Sequence, residues 1–171
     1  AVYGGELLKH IPKVFTKTLS PAIAYPLLLM IGFYILSLAF KFDPHIGVAG
    51  ALAYGLSTYF IIVLEAGHNS KIHAMAYLPG ILAGMVYAYR QKKILSGAAI
   101  FALFTGLELT ARHPQMFYYF LFLAIPYGIW ELVQAQKVKQ LPAFLKATGW
   151  LIIGGVLAVG ANLPYLNNTY Q

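Results

Sequence analysis

Six apolar runs follow one another along this chain, with only short polar breaks between them. They cover about 21–40, 45–65, 71–89, 94–111, 114–133 and 143–166. A bilayer core is about 30 Å thick and an α-helix rises about 1.5 Å per residue, so about 20 apolar residues cross it. Lipid offers the backbone no hydrogen-bond partners, which leaves helices as the structure open to runs of this length. Composition agrees: 10% of the residues are charged and 60% hydrophobic, where a soluble domain carries about 25% charged residues. The expected fold is all-α, a polytopic membrane protein of about six transmembrane helices. Residues 20–171 form one bundle in this reading.

The net charge of +7 raises nucleic acid as a partner in principle. Here the lysines and arginines lie between apolar runs and no basic stripe follows a soluble face, so nucleic-acid binding is excluded. The chain has no cysteine, which excludes disulfides, thiolate catalysis and Cys-ligated metal.

The leading segment, 1–19, differs from the rest. In ELLKHIPKVFTKTL, residues 6–19, Leu7, Leu8, Ile11, Val14, Phe15 and Leu19 recur at helical spacing. Glu6, Lys9, His10, Lys13 and Lys17 take the other side. This reads either as an interfacial amphipathic helix kinked at Pro12 or as a basic loop. Ala1 replaces an initiator Met, and the polar NNTYQ ends the chain directly after an apolar run. Both ends read as cuts or processing sites in a longer parent.

Local signals set the helix ends. Ser20-Pro21 and Asp43-Pro44 pair an N-cap residue with proline at the first helical position. Gly67 suits the position just past the second run, and Asn69 or Ser70 suits the cap of the third. Gly80–Gly84, Gly47–Ala51–Gly55 and Gly154–Ala158 have the small-xxx-small spacing that lets helices approach closely in lipid. Trp130 and Trp150 read as interfacial anchors, and Phe117, Tyr118, Tyr119 and Phe120 as an aromatic belt in which Tyr118 or Tyr119 can line a sugar pocket.

Positive charge sets the orientation. Connections after the first, third and fifth runs carry seven basic residues, Lys41, Arg90, Lys92, Lys93, Lys137, Lys139 and Lys146. The opposite connections carry two, Lys71 and Arg112, although three leading lysines dilute the contrast. The first side is expected in the cytoplasm of a bacterial cell, with the chain in its cytoplasmic membrane. Connections 66–70 and 112–114 and both termini then face outward.

Two polar stretches meet on that outer side. EAGHNSKIH, residues 65–73, holds Glu65, His68, Asn69, Lys71 and His73; ELTARHPQ, residues 108–115, holds Glu108, Arg112, His113 and Gln115. Each sets basic side chains at a helix start, where free N–H groups and the helix dipole attract anions. The pair therefore reads as a phosphate site. Glu65 and Glu108 sit near helix C-termini, where negative charge is disfavoured, so each is a candidate acid. Glu108 is expected to pair with Arg112 at i, i+4. A general base is one role for these carboxylates, and a divalent cation held with His68 or His113 is another. The bland reading is that the polar groups only fasten helix ends at the interface.

AGALAYGLSTYFIIVLEAGHNSKIHAMAYLP, ARHPQMFYYFLFL and LAVGANLPYLNNTY together resemble the bacterial YfhO-type membrane proteins. The resemblance implies a C-type glycosyltransferase, a multi-span enzyme that moves a sugar from a polyprenyl-phosphate carrier to an acceptor on the outer face. It carries over His68, Asn69, Ser70, Lys71, His113, Pro114 and Gln115. Family members often have Asn before His-Pro-Gln, where this chain has Arg112. The resemblance also implies that the catalytic acid lies in a first outer loop upstream of Ala1. The expected partners are a polyprenyl-phosphate-linked sugar, membrane lipid and other membrane subunits. Two further readings stand beside it: a non-catalytic membrane subunit of a larger complex, and a lipid or solute transporter. A transporter is expected to hold ionisable groups near mid-span, whereas here they lie near span ends.

Overall fold

The computed structural model describes His10, Val14 and residues 17–167, the side chains of 164–167 excepted. His10, Val14, Lys17 and Thr18 are helical; the remainder of the expected interfacial helix, and the end of the chain after Asn167, lie outside the described residues. Seven helices follow: α1 (Pro21–Ala39), α2 (Pro44–Gly55), α3 (Thr58–Glu65), α4 (Asn69–Tyr89), α5 (Ile94–Thr110), α6 (Pro114–Lys137) and α7 (Leu141–Asn167). No strand occurs among the described residues.

Five segments are long and apolar enough to cross a membrane: α1, α2 with α3, α4, α6, and α7 up to Leu163. Two of the six expected spans are changed. The second is broken at Leu56-Ser57 into α2 and α3. Gly55 there packs against α1 so closely that a Cβ would lie 2.9 Å from the Pro26 carbonyl oxygen. The fourth, α5, has 17 residues, about 25 Å at the helical rise, less than a full bilayer core.

The chain reverses direction between successive spans, so the bundle has two ends. Residues 39–44, 89–94 and 137–141 meet at a lysine end; there the Gln91 side-chain amide donates to the Ala39 carbonyl at 2.6 Å. Residues 65–69 and 110–114 lie at the other, histidine end. Asp43 caps α2 as expected, its side chain accepting from the His45 N–H at 2.9 Å. Ser20 occupies the N-cap of α1, but its hydroxyl makes no capping bond. The cap of α4 is His68, not Asn69 or Ser70, because the chain turns one residue earlier at Gly67, whose φ is +74°. Lys41, Lys92, Arg112 and Lys139 also take left-handed backbone, with φ between 54° and 61°.

α4 is the axis of the bundle. In its most apolar 18-residue stretch 72% of residues are buried, against 22% in α6 and 22% in α7. It also has the lowest mean hydropathy of the five spans, 1.2 against 2.1 for α1. Lipid demands apolar side chains, whereas a helix wrapped by other helices can use small residues instead. A Cβ on Gly84 would sit 2.6 Å from the Phe101 amide nitrogen, and one on Gly97 would sit 2.7 Å from the Gly84 carbonyl. Gly80 faces the Phe104 ring, and a Cβ on Gly154 of α7 would lie 2.9 Å from the Ala98 carbonyl oxygen. The small-residue spacings are therefore helix contacts. Ile81, Leu82, Met85, Phe120 and Leu151 fill the core where α4, α6 and α7 meet. Phe122, Leu123, Ile125 and Ile129 point outward from α6, as a lipid-facing surface requires.

Candidate functional site

An apolar groove of about 410 Å³ runs between α1, α2, α3, α4 and α6. Phe33, Leu36, Leu82 and Leu123 line it toward the lysine end, and Met75, Pro79 and Met116 further along. Tyr54, Tyr59, Lys71 and Tyr119 bring polar atoms to it. Lys71 is its single charged lining residue among those described, held in the first turn of α4 with Nζ 5.4 Å from the Tyr59 ring centre. Such a cation–π contact orients an ammonium without neutralising it. Tyr54 donates from its hydroxyl to the Met75 carbonyl at 3.3 Å, and the Gln115 side-chain amide donates to the Tyr119 hydroxyl at 2.7 Å. Gln115 and Tyr119 are one turn apart on α6, so this bond needs no tertiary support.

The structure divides the remaining expected residues among three places. Glu65, His68 and Asn69 are exposed on the turn from α3 to α4. Their separation from the groove follows from the turn at Gly67, which carries the chain past the end of the bundle. His73 points inward: its Nε2 shares a hydrogen bond of 2.9 Å with the Tyr77 hydroxyl, and its ring meets Tyr25 edge-on at 5.7 Å. It therefore packs inside the bundle and does not join Lys71 at the groove. His113 occupies the N-cap of α6, half-buried, with a buried Nδ1 that has no hydrogen-bond partner. Arg112 is exposed.

The helix starts are less open to anions than expected. At α4 the Asn69 amide already donates to the Gly67 carbonyl at 2.9 Å, and the Lys71 amide to that of His68 at 3.1 Å. The expected Glu108–Arg112 pair does not form. α5 ends at Thr110, so Arg112 lies beyond the helix on left-handed backbone and the i, i+4 register is lost. Glu108 instead is 1% exposed and has an unpartnered Oε1. No group of three or more His, Asp or Glu side chains among the described residues could hold a metal ion.

The ion pair that does form was not foreseen. Arg90 Nε donates to Glu131 Oε1 at 2.6 Å, at the lysine end. The Arg90 guanidinium also lies 5.6 Å from the Phe40 ring centre and 5.7 Å from that of Tyr127. The hydrogen bond to Glu131 holds the guanidinium above its usual range, outweighing the opposite effect of partial burial. One signal was present in the sequence: Glu131 is one of five acids in the chain and interrupts an apolar run. An acid there demands a partner. Tyr54 and Tyr59 carried no such signal.

Fold and composition together define a polytopic all-α membrane protein. Compared with protein-family models, curated proteins and solved structures, the chain matches none.

Proposed function

We propose that this chain is the membrane part of a glycosyltransferase that takes a sugar from a polyprenyl-phosphate carrier on the outer face of a bacterial cytoplasmic membrane. The observation that carries this reading is the groove: an apolar trough whose lone charged lining residue among those described is Lys71. A polyprenyl phosphate has the same two parts, a hydrocarbon tail and an anionic head. Lys71 also belongs to the GHNSK stretch on which the resemblance to YfhO-type proteins rests.

In this reading the tail lies against Phe33, Leu36 and Leu123 and the phosphate meets Lys71. An acceptor hydroxyl attacks the anomeric carbon and a new C–O bond forms there with inversion. The bond from that carbon to the phosphate oxygen breaks, and polyprenyl phosphate leaves. The hydroxyl proton passes to a carboxylate outside the described residues. Lys71 stabilises the charge gathering on the leaving phosphate, as a fixed cation does in a site that excludes water. The Tyr59, Tyr119 and Gln115 side chains offer hydrogen bonds at the sugar's edge.

The test is binding of undecaprenyl phosphate to the purified chain in detergent, read by native mass spectrometry. Lys71→Ala is expected to weaken binding about tenfold or more, the worth of one charge-assisted contact. Lys71→Arg is expected to retain it. Equal binding by Lys71→Ala sinks the groove assignment. Tight binding with no loss of sugar transfer in Lys71→Ala cells favours the non-catalytic subunit instead. Orientation is tested separately. The chain has no cysteine, so Ser70→Cys and Lys92→Cys can each be probed with an impermeant maleimide on intact cells. Labelling of Ser70→Cys alone is expected.

A further inference from the structure

A second cavity, of about 200 Å³, opens at the lysine end where α4, α6 and α7 meet. Glu131, Gln134, Ala135 and Val138 line it from α6. Gln140, Ala143, Phe144 and Ala147 line it from α7. Both sets are spaced i, i+3, i+4, i+7, so each is one face of its helix and the cavity lies between the two. These faces do not close on each other. Small residues let helices touch, as they do between α4 and α5, yet Ala135, Ala143, Ala147 and, from α4, Ala88 border open space. Tyr89 of α4 forms a further wall, its ring stacked on that of Phe144 at 4.9 Å. Its hydroxyl is committed to Thr148. Walls without a neighbour forfeit dispersion contacts, so an occupant that restores them is favoured.

Depth points to the kind of occupant. The lining residues belong to the last turns of α6, which ends at Lys137, and the first turns of α7, which starts at Leu141. Glu131 and Ala147 are therefore each about 10 Å from their helix end. Trp130 and Trp150 stand exposed just beyond them, as aromatic anchors do where headgroups meet hydrocarbon. The exposed Val138 and Leu145 beside the cavity offer apolar surface to acyl chains.

Charge gives its sign. The acids of this end are Asp43 and Glu131, against seven basic residues. Asp43 caps α2, and Glu131 is bound by Arg90. Lys92 is then the charge in the lining that no acid answers among the described residues, and the side-chain amides of Gln134 and Gln140 add N–H donors. Basic pockets between spans at such a depth take anionic lipid headgroups. We propose that this cavity binds the headgroup of an anionic phospholipid, its phosphate on Lys92, and that the lipid fills the gap between α6 and α7.

The experiment is lipid titration of the purified full chain in detergent, read by native mass spectrometry. The probes are phosphatidylglycerol, phosphatidylcholine with the same acyl chains, and glycerol 3-phosphate as a soluble competitor. Wild type is expected to bind phosphatidylglycerol about tenfold more tightly than phosphatidylcholine. Lys92→Ala is expected to lose that preference. Lys41→Ala, a lysine of the same end outside the cavity, is expected to keep it. Ala135→Leu fills the cavity and is expected to displace the lipid. Equal affinity for the two lipids overturns the proposal. So does an equal loss in Lys92→Ala and Lys41→Ala, which a diffuse positive field would give and a site would not. Unchanged binding in Ala135→Leu sinks the location, and competition by glycerol 3-phosphate at matching concentration sinks the lipid as its source. Lys92 is exposed, so if Ala135→Leu does not fold, the Lys92→Ala and Lys41→Ala pair decides.

Discussion

The two ends of this bundle treat their polar groups in opposite ways. At the lysine end they are spent on one another. Arg90 is bound to Glu131 and lies over Phe40 and Tyr127, Gln91 reaches across to α1, and the Tyr89 hydroxyl meets that of Thr148 at 3.1 Å. At the histidine end Lys71 rests on a ring and has no anion, His113 holds an unpartnered nitrogen, and Glu65, His68 and Asn69 project outward. A polar group already paired inside the protein has little left to offer a ligand. The first end is built to hold helices together, and the second keeps Lys71 and its exposed turn residues uncommitted. Between the ends, the close glycine contacts fasten α4 to α5.

This contrast can be broken by substitution. The largest effect is expected at Gly84→Leu, which would drive a side chain into the Phe101 backbone 2.6 Å away. A loss of about 3 kcal/mol is expected, the upper range for overpacking; chemical unfolding in mixed micelles measures it. A variant as stable as wild type would mean that α4 and α5 are not held by close approach.

Glu131→Ala comes next. It leaves Arg90 without its carboxylate, but the Arg90 side chain is 46% exposed and water compensates much of the loss. A drop of about 1 kcal/mol is expected. Arg90→Ala should cost less than Glu131→Gln costs, because Glu131 is the more buried partner, 10% exposed against 46%. The reverse order would show that stacking on Phe40 and Tyr127 outweighs the ion pair.

At the histidine end the same type of change should barely register in stability. Lys71→Ala and His68→Ala are each expected to shift unfolding by less than about 0.5 kcal/mol, while Lys71→Ala alone reduces carrier-phosphate binding. If His68→Ala destabilises as much as Glu131→Ala, the two ends do not differ in kind.

The smallest effect concerns the turns. Lys139 takes a left-handed conformation at φ 54°, which costs a residue with a Cβ about 1 kcal/mol. Lys139→Gly removes that strain but adds freedom to the unfolded chain, so a gain of only about 0.5 kcal/mol is expected. A loss would reveal a packing or charge role for the Lys139 side chain.

Much of the fold was legible because lipid imposes a simple rule. The starts of α1, α2 and α6 at Pro21, Pro44 and Pro114, and the reversal at Gly67, were readable from residues whose backbone restrictions are local. The break at Leu56-Ser57 was not. It depends on Gly55 meeting Pro26 and Met30 of another helix, which no periodicity within residues 45–65 can report. The site was legible only in part. Lys71 and Gln115 were visible as polar residues at helix starts, and the structure brings both to the groove, Gln115 through its bond to Tyr119. Tyr54 and Tyr59 were hidden because aromatic residues are ordinary in any membrane helix.

Sequence alone determined that this chain crosses a membrane repeatedly as helices, where most of them begin, and which residues let helices touch. Those outcomes follow from chain-local causes: apolar length against bilayer thickness, proline and glycine backbone limits, and the absence of competing polar surface. Only the tertiary structure decided which of two neighbouring basic residues faces the groove. Lys71 and His73 lie two positions apart on α4, which turns them about 200° away from each other. One therefore lies on Tyr59 at the groove and the other between Tyr25 and Tyr77 in the core. In the same way Glu108 was an acid at a helix end in the sequence. It became a buried, unpaired carboxylate because α5 stops before Arg112 and the end of α5 is enclosed by the bundle.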